Sequence, residues 1–152
     1  MQKITPCLWF DNNIEEAIEF YSGIFKNFKV VISSKLPDQT NMLTAIFEIE
    51  GQQFMGLNGG PGHPFTDAIS LTVNCDTQQE IDHYWDSLTA NGGSEVQCGW
   101  LKDKFGLSWQ ITPTIVFQML ADPDAEKALR VMDVVMKSIK LNITELKAAY
   151  EG

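Results

Sequence analysis

The segment ITPCLWF (4–10), followed by DNN and then IEEAIEFY (14–21), decides the architecture because the chain repeats it. The segment AISLTVN (68–74) is followed by CDT and then by QQEIDHYW (78–85), in the same order and at nearly the same spacing. A shift of 63 residues superimposes an isoleucine and a tyrosine of the first helical segment on the same residues of the second. A unit that occurs twice at this period indicates two copies of one supersecondary module rather than a long array.

Each copy has the pattern of a strand, an amphipathic helix and further strands. Apolar residues recur every three or four positions in both helical segments, which is typical of a helix that packs one stripe against a sheet. Asn13 and Thr77 each stand three residues before a glutamate, the spacing of an N-terminal capping box. Strands after the helices are predicted at 28–34, 42–50, 53–58, 95–102 and 107–112. The sequence therefore predicts an α+β fold of two βαβββ modules, with a broken strand in the second.

The residues from about 113 onward form a tail of a different kind. Asp122 and Asp124 precede a helical pattern in which Ala128, Leu129, Met132, Val135 and Met136 are predicted to share one apolar side. A second short helix is predicted to begin at Asn142. We expect this stripe to cover a sheet edge or a partner subunit. The chain is thus predicted to form a single domain, with modules at about 1–60 and 66–112 and a helical tail at about 113–152.

The charge and the cysteines limit the possible partners. Eleven basic and twenty acidic residues give a formal charge of −9, which repels phosphate backbones and anionic lipids. We therefore expect neither nucleic acid nor a membrane as a partner. Three cysteines without CxxC spacing are the pattern of free thiols in a reducing compartment, and no signal peptide or membrane span is evident, so a cytoplasmic location is expected.

The alternation along the first strand of each module predicts a binding surface. In AISLTVN, residues Ile69, Leu71 and Val73 are expected to face the helix, which leaves small and polar groups on the other side. In the first module, Leu8 and Phe10 are expected on one side and Trp9 on the other. Two curved sheets with such faces would form a cleft with polar walls; solvent exposure of the same residues is the alternative.

Four separated motifs resemble the PhnB-like branch of the vicinal-oxygen-chelate superfamily, which includes glyoxalases, bleomycin-resistance proteins and dioxygenases. They are PCLWFDNNIEEAIEFY (6–21), FMGLNGG (54–60), CGWLKDKFGLSWQI (98–111) and, in the tail, DPDAEKALRVM (122–132). The resemblance implies a homodimer and cupped mixed sheets, but no established reaction.

Metal-dependent members of that superfamily place one ligand on the first and one on the last strand of each module. The resemblance puts these positions at Thr5, Gly56, Ala68 and Gln110, of which only Gln110 could bind a metal. His63 lies in a Gly/Pro-rich linker and His83 lies off the apolar stripe of the second helix, so neither is expected to supply a ligand. No metal site and no cofactor are therefore predicted.

Relatives of this branch often carry a demethylubiquinone methyltransferase name. A Rossmann-like methyltransferase needs a glycine-rich loop that leads from a strand into a helix N-terminus. Here Gly59, Gly60 and Gly62 precede a proline and a strand, so a linker is the preferred interpretation.

The leading hypothesis is a metal-free, dimeric small-molecule-binding protein. A metal-dependent lyase, isomerase or dioxygenase is the alternative, and a metal-free enzyme that uses Cys7 or Lys102 is a third possibility. Trp109 has the opposite parity to the binding surface and is predicted to lie in the core. The residues predicted to line the ligand site are Trp9, Phe54, Asn58, Ser70, Thr72, Trp100, Lys102 and Gln110.

Overall fold

The computed structural model describes residues 2–37 and 40–152, which fall into two compact units, Met1–Phe65 and Thr66–Gly152. Each unit contains one four-stranded mixed sheet with a helix between its first and second strands. Further helices follow the second sheet. The predicted α+β fold of two βαβββ modules with a helical tail is confirmed.

In the first unit, one helix follows the first strand and three antiparallel strands complete the sheet. The elements are β1 (Cys7–Phe10), α1 (Ile14–Ile24), β2 (Phe28–Ser34), β3 (Thr44–Ile49) and β4 (Gln52–Asn58). The strand order is β1-β4-β3-β2, and β1 runs parallel to β4. Ile14, Tyr21 and Phe47 are fully buried, so the core lies between α1 and one face of the sheet.

The second unit repeats this topology. Its elements are β5 (Ser70–Cys75), α2 (Gln78–Thr89), β6 (Ser94–Glu95), β7 (Trp100–Lys102) and β8 (Ser108–Pro113), in the order β5-β8-β7-β6. Ile81, Trp85 and Leu88 of α2 are buried against Leu101 and Ile111. The broken strand of this module is also confirmed.

The break between β6 and β7 has a local cause. Cys98 and Gly99 adopt left-handed backbone conformations, with φ of 63° and 80°. Their N–H groups donate to the carbonyl oxygens of Ser138 and Ile139 at 2.8 Å. The tail thus takes hydrogen bonds that a continuous strand would have used.

The tail contains three helices, one more than predicted. They are α3 (Thr114–Leu120), α4 (Ala125–Lys137) and α5 (Ile143–Glu151). The Asp124 and Asn142 side chains accept hydrogen bonds from the first N–H groups of α4 and α5, which confirms the two predicted helix starts. The residues that form a separate small core are Val116, Val131, Leu141 and Leu146.

The predicted apolar side of α4 is not the side that its own unit buries. Val131 is fully buried, whereas Leu129, Met132 and Met136 are exposed. These three residues therefore cover no sheet edge within the described chain, and Val135 packs on the small core instead. That the stripe covers a partner subunit stays a prediction. No helix in the described part of the chain is long and apolar enough to cross a membrane.

The two modules begin their helices differently. The capping box predicted for α2 is confirmed, because the Glu80 N–H donates to Thr77 Oγ1 and the Thr77 N–H donates to Glu80 Oε2, each at 3.2 Å. The box predicted for α1 is wrong, since Asn13 makes no side-chain cap. Instead, the Ile14 N–H donates to Oδ1 of Asn58 at 3.0 Å.

Candidate functional site

Five of the predicted site residues lie on one face of the second sheet, the face turned away from Trp109. Strand register places Thr72, Gln110 and Trp100 side by side in one row across β5, β8 and β7. The next row holds Ser70, Ser108 and Lys102. Residues in register share a face, and opposite side chains lie about 5 Å apart at Cβ. We call these six residues the polar rows.

The polar rows keep hydrogen-bonding capacity for a ligand. The Gln110 amide donates to the Ser70 hydroxyl at 2.8 Å, which orients the Gln110 side chain. Within residues 2–37 and 40–152, the structure shows no partner for the Gln110 carbonyl oxygen, the Trp100 indole N–H or the Thr72 hydroxyl. The row of these three residues therefore offers an acceptor, a donor and a group that does both.

The charge of Lys102 is balanced inside the second unit. Its Nζ lies 2.8 Å from Oδ1 of Asp67, which also accepts a hydrogen bond from the Ser108 hydroxyl at 3.1 Å. The hydrogen bonds from Lys102 and then Ser108 lower the pKa of the Asp67 carboxyl. Asp67 could not be predicted from the sequence, because no periodic signal marks a loop carboxylate that precedes β5.

Trp9 lies on the corresponding face of the first sheet and is already in contact with its own loop. Its indole N–H donates to the Gly60 carbonyl at 2.8 Å, and the His63 ring lies over it at 4.4 Å between centroids. A Cβ atom at Gly59 would approach the indole to 2.2 Å, so glycine is required there. Trp9 has the predicted parity, but part of its ring surface is used within the unit.

Phe54 and Asn58 are placed on the wrong face by the sequence analysis. Phe54 is buried on the α1 side, where its ring stacks on Phe47 at 5.9 Å. Asn58 is also on this side, since it caps α1 and its amide donates to the Met42 carbonyl at 2.7 Å. Neither side chain lies on the face that carries Trp9, so both leave the candidate site.

Trp109 has the predicted place in the core. It is 2% exposed, and its indole N–H donates to Oδ2 of the buried Asp103 at 2.9 Å. The other Asp103 oxygen accepts the N–H groups of Phe105 and Leu107. This carboxylate holds the turn before β8 and thereby fixes the register of Gln110.

The four positions implied by the superfamily do not form a metal-binding donor set. Thr5 and Ala68 precede their strands, and Gly56 faces α1, where an added Cβ would lie 2.5 Å from the Ile14 side chain. Only Gln110 lies on the face of the polar rows. Transition metals need about three ligands from His, Cys or carboxylate. Residues 2–37 and 40–152 contain no three such side chains close enough together to hold a metal ion. The residues at the superfamily positions therefore do not fit a transition metal.

Among residues 2–37 and 40–152, no hydrogen bond joins a cysteine to a histidine, the pair that a thiol nucleophile with a histidine base would need. Partial burial of the thiol raises the pKa of Cys7, which keeps the sulfur protonated at neutral pH. His63 is exposed in its loop beside Trp9, and His83 is exposed on α2, with its ring against Tyr84 at 5.0 Å.

A shallow pocket of about 600 Å³ lies elsewhere in the first unit. Two pairs lie in its wall: Lys29 pairs with Glu48 at 2.8 Å, and the Asn27 amide donates to Glu50 at 2.6 Å. None of the predicted site residues lines this pocket.

Comparison with known proteins identifies relatives of both modules. A family model described as 3-demethylubiquinone-9 3-methyltransferase matches residues 2–112. The match ends before α3, so the tail, including its motif at 122–132, lies outside it. No curated protein matches the chain.

Several solved structures have the same fold. A PhnB protein from Bacillus cereus, described as a putative 3-demethylubiquinone-9 3-methyltransferase, is 34% identical, with a TM-score of 0.68 over 74% of this chain and 100% of that one. A Pseudomonas aeruginosa protein is 20% identical, with a TM-score of 0.60 over 74% of this chain and 98% of its own. The fosfomycin resistance protein FosX from Listeria monocytogenes, solved with Mn(II) and sulfate, is 18% identical, with a TM-score of 0.56 over 74% and 95%. The last two likenesses concern the fold alone.

Proposed function

Because the chain belongs to the PhnB-like family of the vicinal-oxygen-chelate superfamily, we propose that it binds a small, uncharged, planar organic molecule on its polar rows, without a metal ion. The observation that carries this proposal is the row of Thr72, Gln110 and Trp100. It combines an aromatic ring with hydrogen-bonding groups that lack partners in the described chain. An apolar or aromatic wall with a few polar groups is the usual composition of a small-molecule site.

The spacing of the row suits a ring system. Neighbouring strands lie about 4.8 Å apart, so Thr72 and Trp100, two strands apart, are separated by roughly 10 Å. A planar molecule of one or two rings spans that distance. It would stack on the Trp100 indole while its edge reaches the Gln110 carbonyl and the Thr72 hydroxyl.

The ligand is proposed to be uncharged because Lys102 forms an ion pair with Asp67. The ammonium group of Lys102 could attract an anionic ligand, but it is balanced by Asp67 at 2.8 Å. An anion at the rows would have to break this pair or meet the Asp67 carboxylate. A neutral molecule with an amide or ring carbonyl meets neither cost.

The methyltransferase name of the family does not guide the proposal. Gly59, Gly60 and Gly62 follow β4 and lead towards β5, not into a helix N-terminus that could hold a cofactor. Both sheets are mixed, whereas the Rossmann architecture has a mostly parallel sheet with helices on both faces. A cytoplasmic location and a homodimer remain part of our proposal, and the free state of the three cysteines supports the first.

The test is a fragment screen of the purified protein in a chelator-containing buffer. Matched neutral and anionic probes, such as benzamide and benzoate derivatives, are compared by quenching of tryptophan fluorescence and by ligand-observed NMR. We expect the hits to be enriched in neutral planar amides. Hits that are mostly anions, or that need added metal, would contradict the proposal.

Variants locate the site. Trp100→Ala is expected to weaken binding by about 1–3 kcal/mol, because it removes the stacking surface. Gln110→Leu keeps the volume but removes the polar groups, for an expected loss of about 1–2 kcal/mol. Gln53→Leu, on the first sheet, is the control and should leave the affinity unchanged. If all three variants bind the hits equally well, the polar rows are not the site.

A further inference from the structure

The exposed side of α4 is an apolar face that the tail does not use for its own core. Leu129, Met132 and Met136 are 67%, 40% and 59% exposed. Spacings of three and four residues place all three on one side of a helix. Single exposed apolar residues are ordinary, so it is their alignment that distinguishes this surface. We call these three residues the α4 face.

The α4 face is large for a surface that meets only water. Phe117 and Ile139, in the adjoining segments of the tail, are also at least half exposed. The three side chains of the α4 face present roughly 300 Å² of apolar surface, which is within the range of the largest patch on a typical monomer. Patches of this size usually mark an interaction site.

The charges beside the α4 face are arranged symmetrically. Glu126 and Lys137 are exposed and stand eleven residues apart, which is close to three full turns, so they lie on the same flank of the helix. They have opposite signs and lie at opposite ends of the face. Asp133 lies between them and pairs with Lys137 at 2.6 Å, an exposed contact of small energy. The other flank carries the uncharged residues Ala128 and Val135.

We propose that the α4 face docks on the α4 face of a second copy of this chain, antiparallel and about a two-fold axis. In an antiparallel pair related by such an axis, each flank meets the same flank of the other helix. Glu126 of each copy then lies beside Lys137 of the second copy, and both ion pairs form at once. The apolar face and its charges are therefore self-complementary.

The expected size of this contact is modest. The thirteen residues of α4 span about 20 Å. With its flanks and neighbours, the pair would bury on the order of 1,000 Å² in total, which is near the lower limit of specific interfaces. A membrane surface is disfavoured as the occupant, because membrane-bound helices have a basic polar face and this chain carries −9. The family match ends at residue 112, so this docking surface belongs to the tail and not to the shared modules.

Sedimentation of the full chain from about 1 to 200 µM tests the proposal. We expect the wild type to associate, and Leu129→Glu together with Met136→Glu to halve the mass of the assembly by weakening association at least 100-fold. Ile69→Glu is the matched control, because Ile69 is 58% exposed but lies outside the tail; its mass should match the wild type. Circular dichroism checks that each variant is folded. A monomeric wild type, or an unchanged mass for the double variant, would overturn the proposal.

A charge exchange tests the two-fold arrangement itself. Glu126→Lys and Lys137→Glu each place like charges together in the pair and should weaken association roughly 3- to 10-fold. The variant with both changes should recover the wild-type affinity, since the exchanged charges face each other again. A double variant as weak as the sum of the single ones would exclude this geometry. Binding to phosphatidylcholine/phosphatidylserine vesicles by a monomeric protein would make a lipid surface the occupant and overturn the proposal.

Discussion

Trp100 and Trp109 lie on neighbouring strands, and the alternation of the sheet gives them opposite surroundings. Trp100 is in register with Gln110, whereas Trp109 is in register with Leu101 and Leu71 on the other face. Trp109 is buried and donates to Asp103, while the Trp100 indole N–H has no partner within the described chain. Trp109 therefore has a structural role and Trp100 a candidate binding role, because their side chains point to opposite faces of the same sheet.

Substitution of Trp109 should separate its volume from its hydrogen bond. Trp109→Ala is expected to lower the free energy of unfolding by about 3–5 kcal/mol, because it empties buried volume. Trp109→Phe should cost less, about 1–3 kcal/mol, chiefly because the buried Asp103 loses the hydrogen bond from the indole N–H. Urea denaturation followed by far-UV circular dichroism measures both values.

Trp9→Ala is the comparison for these variants. Trp9 is only partly buried, so we expect its removal to cost less stability than Trp109→Ala does. If Trp9→Ala unfolds the protein while Trp109→Ala is harmless, the assignment of the two sheet faces is reversed.

Sequence patterns predicted the second sheet better than the first, for a physical reason. In β5, polar and apolar residues alternate, so its two faces could be distinguished before the structure was known. In β4, the segment QFMGLN (53–58) is apolar at both parities, and the partner register of β1 is not encoded locally. Phe54 and Asn58 were therefore assigned to the face of Trp9, one residue out of phase.

At the scale of elements, α1 depends on a residue from a distant strand. Asn58→Ala is expected to lower the free energy of unfolding by about 1–3 kcal/mol, since the Ile14 N–H and the Met42 carbonyl lose a buried partner. Asn13→Ala, which removes the cap predicted from sequence, should change stability by less than about 0.5 kcal/mol. Thermal and urea denaturation of both variants test this. A larger loss of stability for Asn13→Ala than for Asn58→Ala would show that Asn13 caps the helix after all.

The tail is attached to α2 by a charged contact that depends on pH. Lys140 Nζ lies 3.0 Å from Asp82 and 3.5 Å from Asp86. The hydrogen bonds from Lys140 and then Gln78 lower the pKa of the Asp82 carboxyl. Desolvation opposes the charge of Lys140, but Asp82 and Asp86 raise its pKa on balance.

The directions of these two pKa shifts define the pH range in which the contact stabilises the fold. A carboxyl with a lowered pKa stabilises the fold fully above its unfolded value of about 3.9, and this contribution is lost as the pH falls through the folded value. A lysine with a raised pKa contributes below about 10.4 and loses its contribution as the pH rises through the folded value. When the pH is lowered from about 5 to about 2, the Lys140→Met variant should therefore lose less stability than the wild type does. Equal acid sensitivity in denaturation curves would contradict this.

The helices of the tail differ in how visible they are in the sequence. Asp124 and Asn142 cap α4 and α5, and both starts were predicted from these residue types. Helix α3 begins at Thr114, directly after the end of β8, and no side chain caps it. Its short apolar segment, TIVFQML (114–120), is compatible with either a strand or a helix, because seven residues are too few to distinguish the two periods.

At the scale of the whole molecule, the metal question separates the proposed function from its main alternative. Purified from cells or incubated with zinc, nickel, iron or manganese and then dialysed, the protein is expected to carry far less than one equivalent of metal. The reason is that Gln110 alone of the superfamily positions lies on the candidate face. Elemental analysis measures the content, and a stoichiometric metal that Gln110→Ala releases would support the lyase, isomerase or dioxygenase alternative.

The architecture was predictable because the repeat and the amphipathic helices are periodic features of the sequence. The candidate site was predictable only in part, because it depends on register between strands and on the Asp67 carboxylate in a loop. That the two modules and the tail act as a single domain stays a prediction.

The two ways of starting a helix imply an order of events during folding. The Thr77 cap joins residues three apart in the chain, so it can form while the rest of the second module is still disordered. The Asn58 cap joins residues 44 apart and must wait until β4 has reached β1. Thr77→Ala should therefore mainly slow folding, and Asn58→Ala should mainly accelerate unfolding, as stopped-flow kinetics would resolve. Two modules of the same topology would then acquire their native structure at different moments, the second before the first.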